Sequence, residues 1–310
     1  MKLLSLVGEQ PMPILLPARF LQPEENLLVC TQRTKKIATH LQNILGGGCR
    51  LHDLKAAPYN LQGVSEELHR LCTAGEWMVN LTGATKIMSL AAYRVAQQLQ
   101  LPFVYLESEN RRSLLYRYRF EGDRVLPLDP SQQPVALPEL ITLDDYLRAH
   151  VGGYDEGGYH RGENGRLDNG GLFEQAVGDA LKNAGFEVKA GVRPKGVRDQ
   201  IEIDLAFRLG NQAGIAELKL GGRENLKSGL DQLATAGGRE YLGIYTAKFW
   251  IIARKLTGSA NSLRSLAQAR GITIIELPNY QAGKALAAAD ARQLVDAVRG
   301  ELLPKPSSAA

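Results

Sequence analysis

The chain has 310 residues, 44% of them hydrophobic and 23% charged, a balance typical of a globular protein long enough for two domains. It has no run of about eighteen apolar residues, which excludes a membrane-spanning helix, and its start lacks the pattern of a secretory signal. Because the three cysteines and five histidines lack metal-ligand spacing, we expect reduced thiols, no zinc site and a cytoplasmic location. The net charge of +4 permits a polyanionic partner without requiring one.

Short apolar runs alternate with helical patterns in the first third of the chain. The runs are continuous, which is typical of strands covered on both faces. They predict strands at 3–7, 27–30, 51–54, 77–79 and 103–106, with a helix after each of the first four. Such an alternation favours a doubly wound α/β domain, in which helices cover both faces of a parallel sheet.

A second domain follows a segment rich in glycine. Residues 114–128 predict a β-hairpin at the edge of the first domain, and 141–149 predict a short helix started by Thr142. The composition of 151–170 is that of a linker, or of a loop that orders only with substrate, which gives domains at 1–150 and 171–310. The second domain is expected to be α/β with a mixed sheet. Its predicted helices are at 172–181, 226–233 and 261–269, and its strands include 186–190, 201–207, 215–220 and 243–244.

The two strands at 201–207 and 215–220 carry the acidic residues of greatest interest. A two-residue turn at Gly210-Asn211 would place Asp204 opposite Glu217 and Glu202 opposite Lys219. Opposed residues in an antiparallel pair have Cβ atoms about 5 Å apart, and two carboxylates that close repel unless a cation lies between them. A divalent metal is the natural occupant. The alternative is an exposed hairpin with ordinary surface charges.

The order helix, strand with Asp, strand with Glu-x-Lys, helix resembles the PD-(D/E)xK, or restriction-endonuclease-like, nucleases. Ile203 stands where the name motif has proline. The resemblance implies that Asp204, Glu217 and the carbonyl of Leu218 hold Mg²⁺ or Mn²⁺, while Lys219 orients a water molecule. A surface ladder of salt bridges remains the alternative. The catalytic residues that the resemblance implies are Glu174, Asp204, Glu217, Lys219 and Gln232.

The first domain has a loop suited to phosphate. Residues 81–86, Leu-Thr-Gly-Ala-Thr-Lys, lie between a predicted strand and a predicted helix, where main-chain N–H groups and the helix dipole favour anions. The loop has neither the G-x-G-x-x-G pattern nor the spacing of a P-loop. A purely structural interpretation, with Thr as a helix cap and Gly for a tight turn, is the alternative.

Over nearly its full length the chain resembles CARF-domain effectors, in which a CRISPR-associated Rossmann fold is joined to a PD-(D/E)xK nuclease. The motifs that carry the resemblance are 80–88 (Asn-Leu-Thr-Gly-Ala-Thr-Lys-Ile-Met), 5–11 and the interdomain segment 141–147. The resemblance implies activation by a cyclic oligoadenylate, with cyclic tetra-adenylate as the expected ring. It also implies a homodimer. The ligand contacts carried over by position are Gly8, Glu9, Gln10, Thr31, Thr82, Gly83, Thr85 and Lys86.

The function expected from this resemblance is that of a cyclic tetra-adenylate-activated, metal-dependent nuclease of type III CRISPR antiviral defence. We expect it to cut DNA, single-stranded or by nicking a duplex, with RNA as a second substrate class and little sequence preference. Three alternatives stay open at this point: an unregulated repair or restriction-type nuclease, a ring nuclease that degrades the cyclic signal, and a ligand-binding regulator with a decayed nuclease domain.

Overall fold

The computed structural model describes residues 1–109, 111–195, 201–220, 226–238, 241–256 and 261–303, so the predicted tail lies outside it. The chain divides into two compact units. The first unit is Met1–Ile141 with Arg148–His150, and the second is Thr142–Leu147 with Val151–Ala310. None of the described helices is both long and apolar enough to cross a membrane.

The first unit contains these elements: β1 (Lys2–Leu6), α1 (Met12–Leu21), β2 (Glu25–Cys30), α2 (Lys35–Leu45), β3 (Cys49–Asp53), α3 (Leu61–Cys72), β4 (Trp77–Asn80), α4 (Lys86–Gln98), β5 (Phe103–Glu109), β6 (Arg112–Glu121), β7 (Arg124–Pro127) and β8 (Val135–Ala136). Helix α5 (Leu143–Val151) carries residues of both units. The second unit continues with β9 (Tyr154–Glu156), α6 (Asn169–Asn183), β10 (Glu187–Pro194), β11 (Ile203–Leu209), β12 (Gln212–Lys219), α7 (Leu226–Ala236), β13 (Ala247–Ile252), α8 (Asn261–Ala269), β14 (Ile272–Glu276) and α9 (Ala288–Leu302).

The sheet of the first unit confirms the predicted doubly wound fold. Its strand order is β3-β2-β1-β4-β5-β6-β7, and the pairs from β3 to β5 are parallel. Helices α3 and α4 pack on one face over Leu4 and Leu6. Helices α1 and α2 contact β1 and β2, where the alternate residues Leu3 and Leu28 are also fully buried. The predicted edge hairpin is β6–β7. Because the strand order reverses between β1 and β4, the carboxyl ends of these two strands flank a crevice.

The sheet of the second unit is mixed, as predicted. Its strand order is β14-β13-β12-β11-β10-β9, with parallel pairs from β12 to β14 and antiparallel pairs elsewhere. Helices α6 and α9 cover one face and helices α7 and α8 the other. Both faces of the central strands are therefore buried.

Between Leu205 and Leu209 the hairpin β11–β12 has the predicted register and turn, but the pairs end at Leu205, so Asp204 is not paired with Glu217 as predicted. Leu205 pairs with Ala216 and Leu209 with Gln212, and Gly210 in the turn has a φ of +62°. The alternative of an exposed hairpin is wrong, because β10 flanks β11, β13 flanks β12, and helices lie on both sides. The acidic residues of this hairpin consequently lie inside the unit rather than on a solvated surface.

The glycine-rich segment is not a linker. Strand β9 lies within it and pairs with β10 through Tyr154 opposite Pro194, and Arg161 forms a bridge with Leu167. From Val151 onward the segment groups with the second unit. The first domain was predicted to end at 150, in agreement with this division, but the linker predicted at 151–170 is part of the second unit. Glycine here serves close packing, which composition does not distinguish from flexibility.

Two further elements differ from the sequence prediction. The strand predicted at 243–244 is absent, since neither residue is in a strand, and the next strand along the chain is β13, which begins at Ala247. Helix α9 was not predicted. Its buried residues Leu294, Val298 and Leu302 recur every four positions. That spacing is typical of a helix, even in this alanine-rich stretch. Helix α9 covers one face of the sheet.

Candidate functional site

Asp204 lies where β11 changes the face that it buries. Gly191, within the neighbouring strand β10, has a φ of +62°, which only glycine adopts readily. Ile203 packs in one core and Leu205 in the other, although residues two apart in a regular strand share a face. Asp204 lies between these two residues, and its Oδ2 accepts the N–H of Leu218 at 2.7 Å. Its carboxylate is thereby fixed against β12.

Glu217 and Lys219 share one face of β12, as predicted, below helix α7. A methyl group at Gly229 of that helix would lie 3.3 Å from Cγ of Glu217 and 3.6 Å from Cε of Lys219. The Nζ atom of Lys219 lies 2.7 Å from Oε1 of Glu217, which is only 3% exposed. Glycine at position 229 leaves the space that these two side chains use.

Helix α6 adds a third carboxylate. Glu174 is 9% exposed, and its Oε2 accepts the main-chain N–H of His160 at 2.8 Å. Its charge acts on Glu217, and the charge of Asp204 acts on it. The structure therefore brings together four of the predicted residues, from α6, β11 and β12.

Burial dominates the electrostatics of this cluster. It raises the pKa of Glu217 to about 7, with the charge of Asp204 adding to the effect. It likewise raises the pKa of Glu174 to about 7, against the hydrogen bond from His160, and it raises the pKa of Asp204. Burial lowers the pKa of Lys219, but the three carboxylates outweigh it and the net direction is upward. When ionised, the three carboxylates carry more negative charge than the single Lys219 can balance.

The donor set fits a hard divalent cation. Within the described ranges, no group of three or more His, Cys, Asp or Glu side chains is arranged to hold a metal ion. The donors at hand are the carboxylates of Asp204 and Glu217 and the carbonyl of Leu218, all of them oxygen, which Mg²⁺ and Mn²⁺ prefer. A divalent ion would balance the excess negative charge.

Two sequence predictions on this unit fare differently. Glu202 is not among the residues paired with β12, because those pairs end at Leu205, and its Oε1 accepts a 2.7 Å hydrogen bond from Arg193 on β10. The predicted pairing of Glu202 with Lys219 is wrong. Gln232 is exposed on α7, and the described part of the chain shows no hydrogen bond from it to the acidic cluster. Its catalytic role stays a prediction.

In the first unit, glycines bring together the loops after β1 and β4. A methyl group at Gly8 would lie 2.9 Å from the main-chain nitrogen of Ala84. One at Gly83 would lie 2.0 Å from the carbonyl oxygen of Leu6. Ala84 itself has a φ of +66°, a region that residues other than glycine rarely occupy and that is frequent at binding loops.

The threonines of the second loop serve the scaffold. The hydroxyl of Thr82 donates to Oδ1 of Asn80 at 2.7 Å and accepts the N–H of Leu106 at 2.8 Å. Thr85 caps α4 by accepting the N–H of Met88 at 3.2 Å. The structural interpretation is thus right for the cap. Lys86, in contrast, is exposed at the start of α4, and the described residues offer it no hydrogen bond or ion pair.

Polar side chains that follow β1 and β2 complete this edge of the sheet. The amide of Gln10 is buried, yet neither its oxygen nor its nitrogen has a partner among the residues that the structure describes. Glu9 forms an ion pair with Arg33, and Oγ1 of Thr31 lies 3.2 Å from Oγ1 of Thr34. A polar ligand in the crevice between β1 and β4 would give this unpaired amide its hydrogen-bond partners.

Sequence reasoning missed His160. The sequence has five histidines without the paired spacing of a metal site, so nothing in the pattern singled out His160. Its contact with Glu174 is made by the main chain, and its imidazole Nδ1 lies 2.9 Å from Oδ2 of Asp168. The one available clue was its position in the glycine-rich segment just before α6.

Residues 3–146 match the family model of the Card1 CARF domain. This part of the chain is a CARF domain. The match includes the loops that carry Gln10 and Lys86, so the crevice described above belongs to the CARF domain. No curated protein matches the sequence.

Solved structures share the fold over almost the whole chain. Can2 from Sulfobacillus thermosulfidooxidans, in complex with cyclic tetra-adenylate, has a TM-score of 0.68 at 14% identity, covering 96% of this chain and 99% of that one. Protein VC1899 from Vibrio cholerae has the same TM-score and identity, with 96% and 95% covered. A type III CRISPR defence DNA nuclease activated by cyclic oligoadenylate has a TM-score of 0.58 at 17% identity, with 96% and 51% covered. At these identities the likeness is one of fold.

Proposed function

We propose that the chain is a nuclease controlled by its CARF domain. A cyclic oligoadenylate, cyclic tetra-adenylate first among them, binds the first unit and activates metal-dependent cleavage of nucleic acid by the second, in type III CRISPR defence. The observation that carries the proposal is the coexistence in one chain of a CARF domain and a buried cluster of Asp204, Glu217 and Lys219. The cyclic tetra-adenylate in the Can2 structure and the activator of the third structure support it.

The ligand site is proposed at the crevice between β1 and β4. The buried amide of Gln10 would donate to and accept from the ligand, and Lys86 would contact a phosphate at the positive end of α4. Because a cyclic tetra-adenylate has two-fold symmetry, a homodimer of the chain would present two such crevices to it. The proposed contact residues are Gly8, Glu9, Gln10, Thr31, Thr82, Gly83, Thr85 and Lys86.

The nuclease centre is proposed at the acidic cluster of the second unit. Asp204, Glu217 and the carbonyl of Leu218 would hold the ion. When bound, Mg²⁺ or Mn²⁺ lowers the pKa of water and offsets charge on a phosphate. Lys219, whose Nζ lies beside Oε1 of Glu217, would orient the attacking water and stabilise the negative charge that develops on the scissile phosphate. Glu174 would act from the second side of the cluster, with Gln232 as a further proposed participant on α7.

Allostery requires that the ligand bind the active and inactive states with different free energies. In the structure Nζ of Lys219 lies 2.7 Å from Oε1 of Glu217. The activator would favour the arrangement of Asp204, Glu217 and Lys219 that holds the metal ion and its water.

The test is a substrate panel with the full chain. Single-stranded DNA, duplex DNA and RNA are incubated with Mn²⁺, with and without cyclic tri-, tetra- and hexa-adenylate. The proposal expects cleavage of DNA with the tetra-adenylate, and none without an activator. Equal cleavage without activator would instead identify an unregulated nuclease, linear adenylate products a ring nuclease, and no cleavage at all a decayed domain.

A further inference from the structure

The segment from Gly157 to His160 is seated on the nuclease unit by its own main chain. Gly157 donates its N–H to the carbonyl of Gly191 at 2.9 Å, and Gly158 donates to that of Ala190 at 3.1 Å. These bonds prolong the pairing of β9 with β10 beyond Glu156. The segment consequently arrives at helix α6 in a defined position.

Glycines on the neighbouring elements allow this close approach. A methyl group at Gly171 would lie 1.9 Å from the carbonyl oxygen of His160, and one at Gly178 would lie 2.6 Å from the hydroxyl of Tyr159. Both glycines are on α6, the helix that carries Glu174. The first distance is far below any real contact of a Cβ atom, so a side chain at 171 would push the segment away.

Asp168 ties His160 to the start of the same helix. Oδ1 of Asp168 caps α6 by accepting the N–H of Gly171 at 2.8 Å, and Oδ2 accepts from Nδ1 of the imidazole at 2.9 Å. The main-chain N–H of His160 then reaches Oε2 of Glu174 at 2.8 Å. The side chain of His160 is thus anchored on Asp168, while its main-chain N–H binds the carboxylate of Glu174.

We propose that His160 is a positioning residue of the nuclease centre. Its imidazole, anchored through Nδ1 on Asp168, fixes the main-chain N–H that holds one oxygen of Glu174, and so orients this carboxylate beside Asp204 and Glu217. The inference rests on the proposed nuclease function, and it assigns the glycine-rich segment a role in building the site. The acting atoms are Nδ1 and the main-chain nitrogen, so the imidazole Nε2 is dispensable.

Two amide substitutions separate these atoms. In His160→Asn the side-chain nitrogen falls near the position of Nδ1 and can still donate to Asp168, whereas in His160→Gln it falls near that of Nε2. With activator and Mn²⁺, we expect His160→Asn to cleave within about twofold of the wild type. We expect His160→Gln and His160→Ala to lose about fivefold in kcat, with KM for nucleic acid unchanged, because the contact with Asp168 that they lose is partly exposed to solvent. Wild-type rates in His160→Gln, with or without a loss in His160→Asn, would overturn the proposal.

Binding of Mn²⁺, followed by electron paramagnetic resonance without nucleic acid, gives a second readout. The same order is expected, with His160→Asn like the wild type and the other two variants weaker. A wild type that binds Mn²⁺ but never cleaves would refute the proposed function, while the binding series would still test the role of His160. Equal Mn²⁺ affinity in all four proteins would refute that role.

A matched pair of glycine substitutions tests whether the close packing of residues 157–160 on α6 matters for cleavage. Gly171→Ala should reduce activated cleavage at least as much as His160→Ala, since its methyl group displaces the carbonyl of His160. Gly300→Ala on α9 is the control, because its methyl group would meet no atom within 4 Å. Circular dichroism and thermal unfolding check that both variants fold. Full activity of a folded Gly171→Ala would contradict the proposal.

Discussion

The buried acid Glu174 contributes to the pH dependence of the second unit's stability, and Glu174→Gln should reduce that dependence. Its pKa is raised from 4.5 to about 7, mainly by burial. A raised carboxyl pKa means that the folded state binds the proton more tightly than the unfolded state. Its contribution to stability is therefore full below pH 4.5 and is lost as the pH rises through about 7.

The size of the effect follows from the same pKa. A rise from 4.5 to about 7 corresponds to roughly 3 kcal/mol of stability lost between pH 4.5 and pH 8. Glutamine has the same shape, carries no charge, and its amide oxygen can still accept the N–H of His160. We expect Glu174→Gln to stabilise the second unit by about 1–3 kcal/mol at pH 8, a gain that shrinks by pH 5. Activated cleavage should fall at the same time.

Urea unfolding followed by tryptophan fluorescence measures this. The sequence has two tryptophans, and Trp250 lies in the core of the second unit, so a Trp77→Phe background isolates its signal. Glu187→Gln is the control of opposite sign: burial raises the pKa of Glu187, but its contacts with Arg208 and Leu143 outweigh this and hold it below its usual value. Glu187→Gln should destabilise at pH 8. If Glu174→Gln were no more stable than the wild type at pH 8, or equally more stable at both pH values, the electrostatic account of the cluster would be refuted.

Three further outcomes are expected. Gly83→Ala should weaken binding of cyclic tetra-adenylate, measured by calorimetry, by at least about tenfold, because its methyl group would meet the carbonyl of Leu6; Gly47→Ala, with open space around it, should bind normally. Mn²⁺ at a hundred times its Kd should stabilise the wild type by about 2.7 kcal/mol at pH 8, and Asp204→Asn should lose this gain. Thr85→Ala should cost about 1 kcal/mol through the lost cap of α4 and weaken activation, while Thr85→Ser should retain both.

The hairpin shows what the sequence could predict. A glycine in a two-residue turn and alternating apolar residues define the register, so the contact between Asp204 and β12 was predictable. The convergence of Glu174 was suggested only by the family pattern. The predicted pairing of Glu202 with Lys219 was wrong because the pairing of β11 with β12 ends at Leu205. The positive φ of Gly191 in the neighbouring strand β10 is a backbone feature that no sequence pattern reveals.

The glycine-rich segment and the ligand loop show why the rest was out of reach. Composition predicts a linker at 151–170, but the glycines there and on α6 permit main-chain contacts, such as that of His160 with Gly171. In the loop after β4, sequence marks Thr82 as a ligand contact, yet its hydroxyl is used twice within the scaffold. The buried amide of Gln10 has no hydrogen-bond partner among the described residues. This depends on how the chain packs around it, which the residue type alone does not indicate.

The central claim, that ligand binding in the CARF domain controls chemistry at the acidic cluster, is tested most directly by one titration. The rate of DNA cleavage with Mn²⁺ is measured against cyclic tetra-adenylate for the wild type, Lys86→Ala and Lys219→Ala. We predict saturable activation of the wild type, an about tenfold higher half-activating concentration for Lys86→Ala with the same plateau, and no cleavage by Lys219→Ala despite normal ligand binding. A wild-type rate independent of the cyclic ligand would contradict the claim.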